Sequence, residues 1–116
     1  MERGDIYWIF LDPSFGREMG GYKVRPVVVV SIADVHGKTR VATVVPGSTT
    51  PSNFPNVVSV GPDADNKLQE RTFFQCHQIR SVDQGRMTGY RIGRLRNVDM
   101  DKLEAAIGFC LGFPDP

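Results

Sequence analysis

Three groups of side chains in this chain have types that could do chemistry together. Arg25 stands directly before Pro26 and the run Val27 to Val30, the hydroxyls Ser48, Thr49 and Thr50 follow a "VVPG" stretch, and Gln75, His77, Gln78 and Arg80 open a basic segment. Hydroxyls, a guanidinium and an imidazole can carry out phosphodiester chemistry without a metal. One group takes a proton from a ribose 2′-OH, cations stabilise the crowded pentavalent phosphorus, and another group protonates the leaving 5′-oxygen. Each residue also has a plainer role open to it. Arg25 could form an ion pair with Glu18 or Asp12 that fixes the loop, Ser48 could make a turn through a side-chain to backbone bond, and His77 could be hydrogen-bonded within a strand.

Other chemistries find less in the sequence. His36 and His77 are too few for a typical zinc site without cysteine partners, and neither a GxSxG elbow nor a phosphate-binding P-loop is present. Cys76 and Cys110 lie 34 residues apart without a CxxC pattern. They read as small core residues rather than nucleophiles. The opening "MERGDIYWIF" carries charge where a secretory segment would not, so a reducing cytoplasm is expected. No apolar run approaches the roughly 20 residues of a membrane-spanning helix, so no membrane partner is expected.

Charge is informative in its distribution. The net charge is +1, yet residues 71 to 96 hold six arginines (Arg71, Arg80, Arg86, Arg91, Arg94 and Arg96) against Asp83 alone and carry +5. The flanking segments 61 to 70 and 97 to 116 carry −2 and −3. Such a segment is either a phosphate-facing stripe, for which arginine's planar fork is suited, or an ion-paired strand surface.

The elements that must position these groups are mostly strands. Residues 5 to 12, "DIYWIFLD", are apolar on both alternating sets and read as a first strand packed on two sides, stopped at Asp12 and Pro13. The glycine-containing loop 13 to 24 has the composition of a movable segment. Strand 25 to 32 carries the valines, which read as buried on both faces. After a turn at Gly37, in which His36 lies, comes a strand at 40 to 46, then a loop at 47 to 56. Short strands are expected at 56 to 60, 71 to 76 and 78 to 82, with another at 89 to 95. From Asn97, expected as N-cap, the spacing of Met100, Leu103, Ile107 and Cys110 predicts a helix ended by Gly112 and Pro114, with Asp99 and Asp101 in its first turn. A single domain of 116 residues results, a small bent sheet or barrel capped by a helix.

The segments "ERGDIYWIFLDPSFGREMGG", "RPVVVVS", "VVPGSTT", "FPNVV" and "CHQIRSVD", followed by an acid-capped helix, occur in the order and spacing of the MazF/Kid/PemK toxins of bacterial toxin–antitoxin modules. The chain resembles that family from residue 2 to about residue 112. The resemblance implies an SH3-like β-barrel with a C-terminal helix and a homodimer. It also implies metal-free cleavage of single-stranded RNA at short sequences, leaving a 2′,3′-cyclic phosphate and a 5′-OH, and a cognate antitoxin that lays a segment across the dimer. No cofactor is implied. By the same resemblance Arg25 acts on the scissile phosphate and Ser48 takes a place usually held by threonine. Glu18, Gln78 and Arg80 match elements that position RNA or hold loops.

Three departures distinguish this chain. The first is Arg17, where the Kid-like branch has a histidine; the second is His77 where that branch has an aspartate, together with Gln75 where it has an arginine; the third is Tyr22 and Lys23, which lengthen the connection to Arg25. An imidazole, with a reference pKa of about 6.5, can replace a carboxylate as a proton carrier near neutral pH. Arg25, Ser48 and His77 are therefore the candidate catalytic residues, and Arg17, Glu18, Thr49, Gln75, Gln78 and Arg80 the candidate RNA contacts. Phe15, Tyr22 and Phe54 sit in the loops beside Arg25 and Ser48, where bases could stack. Of the adjacent Phe73 and Phe74, at least one is expected to face the core. Two other classes compete: a gyrase poison like the related CcdB toxins, working through the tail "GFCLGFPDP", and an inactive binding barrel.

Overall fold

The computed structural model describes residues 1–21, 23–87 and 89–114. Its strands are β1 (Asp5–Ile9), β2 (Arg25–Val29), β3 (Val41–Ser48), β4 (Val57–Val60), β5 (Thr72–Gln75), β6 (Arg80–Asp83) and β7 (Gly93–Arg94). The helices are α1 (Ala33–Thr39) and α2 (Asn97–Leu111). All pairings are antiparallel, in the order β4-β5-β3-β2-β1-β7, with β6 on the first half of β3. The long strand β3 thus changes partner along its length, from β6 at Val41 to Val44 to β5 at Gly47 and Ser48. This curls the sheet into a mainly β half-barrel with α2 on one side.

The valine run behaves as its composition requires. Opposed strand residues point to one face, so the register Ile6↔Val28↔Val45 sends those three side chains one way and Tyr7↔Val27↔Pro46 the other. Val28 joins a core of Ile6, Val45, Val58, Val60 and Phe74 closed by Met100, Leu103 and Ala106 of α2. Val27 and Val29 join a second core of Ile9, Leu11, Ala42, Val44 and Val82, covered by Met19 and Met87 from loops. All three valines are fully buried, each contributing about 1.5–3 kcal/mol of burial free energy. At the adjacent pair, Phe74 is buried and Phe73 half-buried.

Several local expectations are corrected. Residues 33 to 39 form a helix, not a turn, even though Gly37 lies inside it. Tertiary bonds hold it: buried His36 bonds Ser31 Oγ (2.9 Å) and the Met1 carbonyl (2.9 Å), and Arg40 closes the end at φ 63°. β1 ends at Ile9, and Trp8 and Phe10 are 45% and 55% exposed, so the first strand is not packed throughout on both sides. β2 ends at Val29, short of the expected residue 32, and the strand expected at 89 to 95 shrinks to Gly93–Arg94. The N-cap of α2 is Arg96 rather than Asn97, and Asp99 alone supplies acid to its first turn. Gly112 ends the helix in the left-handed region, as expected.

Candidate active site

Sheet register places the two main chemical groups side by side. Val27 faces Pro46 as the last pair between β2 and β3, so Arg25, at the start of β2, and Ser48, at the end of β3, lie at the same end of the sheet. At that end Ile9, Arg25's partner on β1, is buried. The strand ends are therefore where an apolar floor gives way to polar chemistry. Arg25 and Ser48 line one cleft of about 280 Å³, with Lys23, Thr49, Thr50 and Glu70 around them. A close approach of strands makes this possible: a Cβ on Gly47 would sit 2.5 Å from Thr72 Cγ2 and 3.0 Å from Phe74 Cδ1. Only glycine lets β3 run so tightly across β5 just before Ser48.

Arg25 is half-buried and spends one donor, Nε, on the Gly20 carbonyl at 3.1 Å. Its remaining guanidinium N–H groups form no ion pair with Asp12, Glu18 or any other described residue. The Asp12 carboxylate instead ties its own loop, accepting from Ser14 Oγ (2.7 Å) and the Gly21 N–H (3.0 Å). Those two bonds, the hydroxyl first, hold its carboxyl below the usual carboxylate value. Ser48 Oγ accepts from the Thr50 N–H at 3.1 Å. The turn-making role is real, and it leaves the hydroxyl hydrogen available to a ligand.

A second cleft of about 320 Å³ holds Glu18, His77, Gln78 and Arg80. His77 sits exposed on a 3₁₀ turn, Cys76–Gln78, between β5 and β6, and its Nδ1 accepts from the Asn56 amide. Gln78 clamps loop 13 to 24: its Oε1 accepts from the Met19 N–H (3.1 Å) and its Nε2 donates to the Arg17 carbonyl (3.0 Å). Arg80 Nη1 donates to the Leu11 carbonyl at 2.9 Å. Arg86 Nη1 donates to the carbonyls of Phe10 (2.8 Å) and Asp12 (2.6 Å). The end of β1 and the loop beyond it are thus fastened from the β6 side, and Arg25 takes its own bond from that loop.

A family model for the "PemK-like, MazF-like toxin of type II toxin-antitoxin system" matches residues 2–111. The chain belongs to this family. It is 32% identical over 104 residues to endoribonuclease PemK of Escherichia coli, covering 89% of this chain and 76% of that protein. To endoribonuclease EndoA of Bacillus subtilis (strain 168) it is 31% identical over 118 residues, covering 99% of this chain and 97% of that one. Its fold is similar to that of a mycobacterial endoribonuclease solved in complex with its cognate antitoxin, with a TM-score of 0.80, 25% identity, and coverage of 100% and 99% of the two chains. It also matches the fold of MazF from Deinococcus radiodurans, with a TM-score of 0.82, 22% identity, and coverage of 97% and 96%.

Within this toxin, the structure brings Arg25, Ser48 and Thr49 together and sets His77, Glu18, Gln78 and Arg80 in the neighbouring cleft. Gln75 is half-buried on β5, on the face of Phe73, which opposes Ser48. The side chains of Arg17 and Glu18 are exposed, as are Phe15 and Phe54; Tyr22 lies outside the described residues. The basic segment is not one phosphate-facing stripe. Arg91 and Arg94 bond Asp5 at 3.2 and 3.1 Å, Arg94 also bonds Glu2 at 2.6 Å, and Arg96 pairs with Asp65 at 2.7 Å. Arg71 bonds Ser59 Oγ at 2.9 Å. Burial opposes the charge on Asp5, but the Glu2 N–H and the two guanidiniums outweigh it and lower its carboxyl below the ordinary value. Cys76 is fully buried, and burial, with Cys110 near it, pushes its thiol up to about 12, so it is no nucleophile.

Sequence reasoning missed Glu70. This residue lines the Arg25–Ser48 cleft, yet in sequence it is only the last acid before the arginine-rich segment. Its nearness to Ser48 follows from the pairing of β5 with β3, Ser48 opposite Phe73, which leaves no local mark.

Proposed function

We propose that this toxin is an endoribonuclease that cuts single-stranded messenger RNA at short sequences in the Arg25–Ser48 cleft. The ribose 2′-oxygen attacks the adjacent phosphorus, leaving a 2′,3′-cyclic phosphate and a 5′-OH. The Arg25 fork binds the non-bridging phosphate oxygens as negative charge builds on them, and Ser48 donates its hydroxyl hydrogen to the same group. Thr49, Gln75, Arg17, Glu18 and His77 meet the flanking nucleotides, and Phe15 and Phe54 offer stacking faces. Gln78 and Arg80 shape the loop that carries Arg17 and Glu18. The working form is a cytoplasmic homodimer silenced by a cognate antitoxin, in keeping with the complex known for the mycobacterial relative. The alternative of a gyrase-binding toxin has no support from the Escherichia coli and Bacillus subtilis relatives, which are named endoribonucleases.

One observation supports this reading: a half-buried arginine whose guanidinium forms no ion pair with the described residues shares one cleft with a serine hydroxyl at the ends of two neighbouring strands. Incubating the purified protein with mixed-sequence RNA in EDTA, then sequencing the cut ends, tests it. Discrete products ending in cyclic phosphate are expected. Intact RNA, or cleavage only on adding a divalent cation, would contradict it.

A further inference from the structure

The cleft has its phosphate-binding groups, but the reaction also requires a base for the 2′-OH. Among the residues that line it, the ionisable side chains are Lys23, Arg25 and Glu70. A guanidinium stays protonated and cannot accept the proton. A lysine ammonium likewise has hydrogens to give and no lone pair with which to accept. His77, which could exchange a proton, belongs to the neighbouring cleft, and its Nδ1 is already occupied by the Asn56 amide.

Glu70 has the chemistry and the placement. Its carboxylate accepts no hydrogen bond and forms no ion pair among the described residues, while its backbone is held at the entrance to β5 by Thr72 Oγ1, which donates to the Glu70 carbonyl at 3.1 Å. The next residue, Arg71, is tied to Ser59 Oγ. An anchored backbone and a carboxylate without a partner among the described residues, in the same cleft as a guanidinium that gives only its Nε to the Gly20 carbonyl, is an arrangement suited to an acid–base residue.

We propose that Glu70 is the general base that takes the ribose 2′-OH proton in this reaction. It rests on the ribonuclease reading above and completes it. As the Glu70 carboxylate takes the proton, the 2′-oxygen bonds to phosphorus and Arg25 balances the added charge on the non-bridging oxygens. The bond from phosphorus to the 5′-oxygen then breaks, and that oxygen takes a proton from water. The resulting hydroxide is neutralised by the proton that Glu70 releases, so the enzyme returns to its starting state.

The test compares wild type, Glu70→Gln and His77→Ala on one defined RNA containing the mapped cut site, with kcat/KM measured against pH. RNA affinity is read from the same oligonucleotide carrying a 2′-deoxy sugar at that site, which cannot react. Glu70→Gln keeps the shape and an exposed position, so its melting temperature should match that of wild type. Its kcat should fall about 10²–10⁴-fold, its affinity for the deoxy oligonucleotide should stay within about twofold of wild type, and the acid limb of the profile should disappear. The limb should persist in His77→Ala. Wild-type cleavage that is unchanged in Glu70→Gln, or an acid limb lost in His77→Ala and kept in Glu70→Gln, would overturn the role of Glu70 while leaving the ribonuclease intact. A wild-type protein that cuts no RNA would overturn both.

Discussion

Replacing Arg25 with alanine separates chemistry from folding in this toxin. In the folded protein the side chain makes one intramolecular hydrogen bond, from Nε to the Gly20 carbonyl at 3.1 Å, and is only half-buried. Such a bond contributes about 0.5–1.5 kcal/mol net, which for a domain of this size lowers the melting temperature by only a few degrees. In the proposed reaction the same group would face the phosphorus at its most charged. Removing one preorganised donor from such a site costs about 2.7–4 kcal/mol, or about 10²–10³ in kcat, and a guanidinium that supplies two donors and a charge should reach at least the upper end. Arg25→Lys keeps the charge but loses the fork, and should fall between the two. Single-turnover cleavage of a fluorescent RNA, set beside thermal unfolding by circular dichroism, measures both quantities. Cleavage unchanged in Arg25→Ala would refute the mechanism. A drop in melting temperature of tens of degrees would show that the residue serves the fold instead.

Three further outcomes follow from the contacts. Gln78→Leu removes both bonds that clamp loop 13 to 24; amide exchange at Arg17 to Gly21 should quicken and KM should rise more than kcat falls, and unchanged exchange would show the clamp to be dispensable. Asp5 has its carboxyl lowered in the folded state, so its ionised form stabilises the fold above its unfolded value of about 3.9, and that contribution disappears as pH falls through the folded value. Denaturant unfolding from pH 6 to pH 2 should therefore lose stability more steeply in wild type than in Asp5→Asn, and parallel curves would refute the coupling. Phe74→Ala empties the centre of the core shared with α2 and should cost about 3–5 kcal/mol in the same measurement; a loss below about 1 kcal/mol would mean that the sheet face recloses around the gap.

The pattern of success along the chain has a physical cause. Where a signal is local, it is legible: the valine run announces a strand, in which Val27 to Val29 are fully buried while Val30 lies past its end and half-buried, three- and four-residue spacing announces α2, and Gly112 ends it. Segment 33 to 39 is not legible as a helix, because Gly37 argues against one and the bonds that hold it reach from His36 to Met1 and Ser31. The arginine-rich segment was ambiguous for the same reason. Its charge is plain in the sequence, but its neutralising acids, Glu2, Asp5, Asp63 and Asp65, come from elsewhere in the chain.

By itself the sequence determined the family and the mainly β fold with its closing helix, and it singled out Arg25, Ser48 and His77 as the candidates to look for, since each rests on residue types and short spacings. Tertiary structure alone decided that Arg25 and Ser48 share a cleft, that Glu70 stands in it while His77 stands in the next one, and that Gln78 serves a loop 59 residues away. Strand register sets such neighbourhoods, and it depends on how two distant segments bury their apolar faces together, which neither segment records on its own.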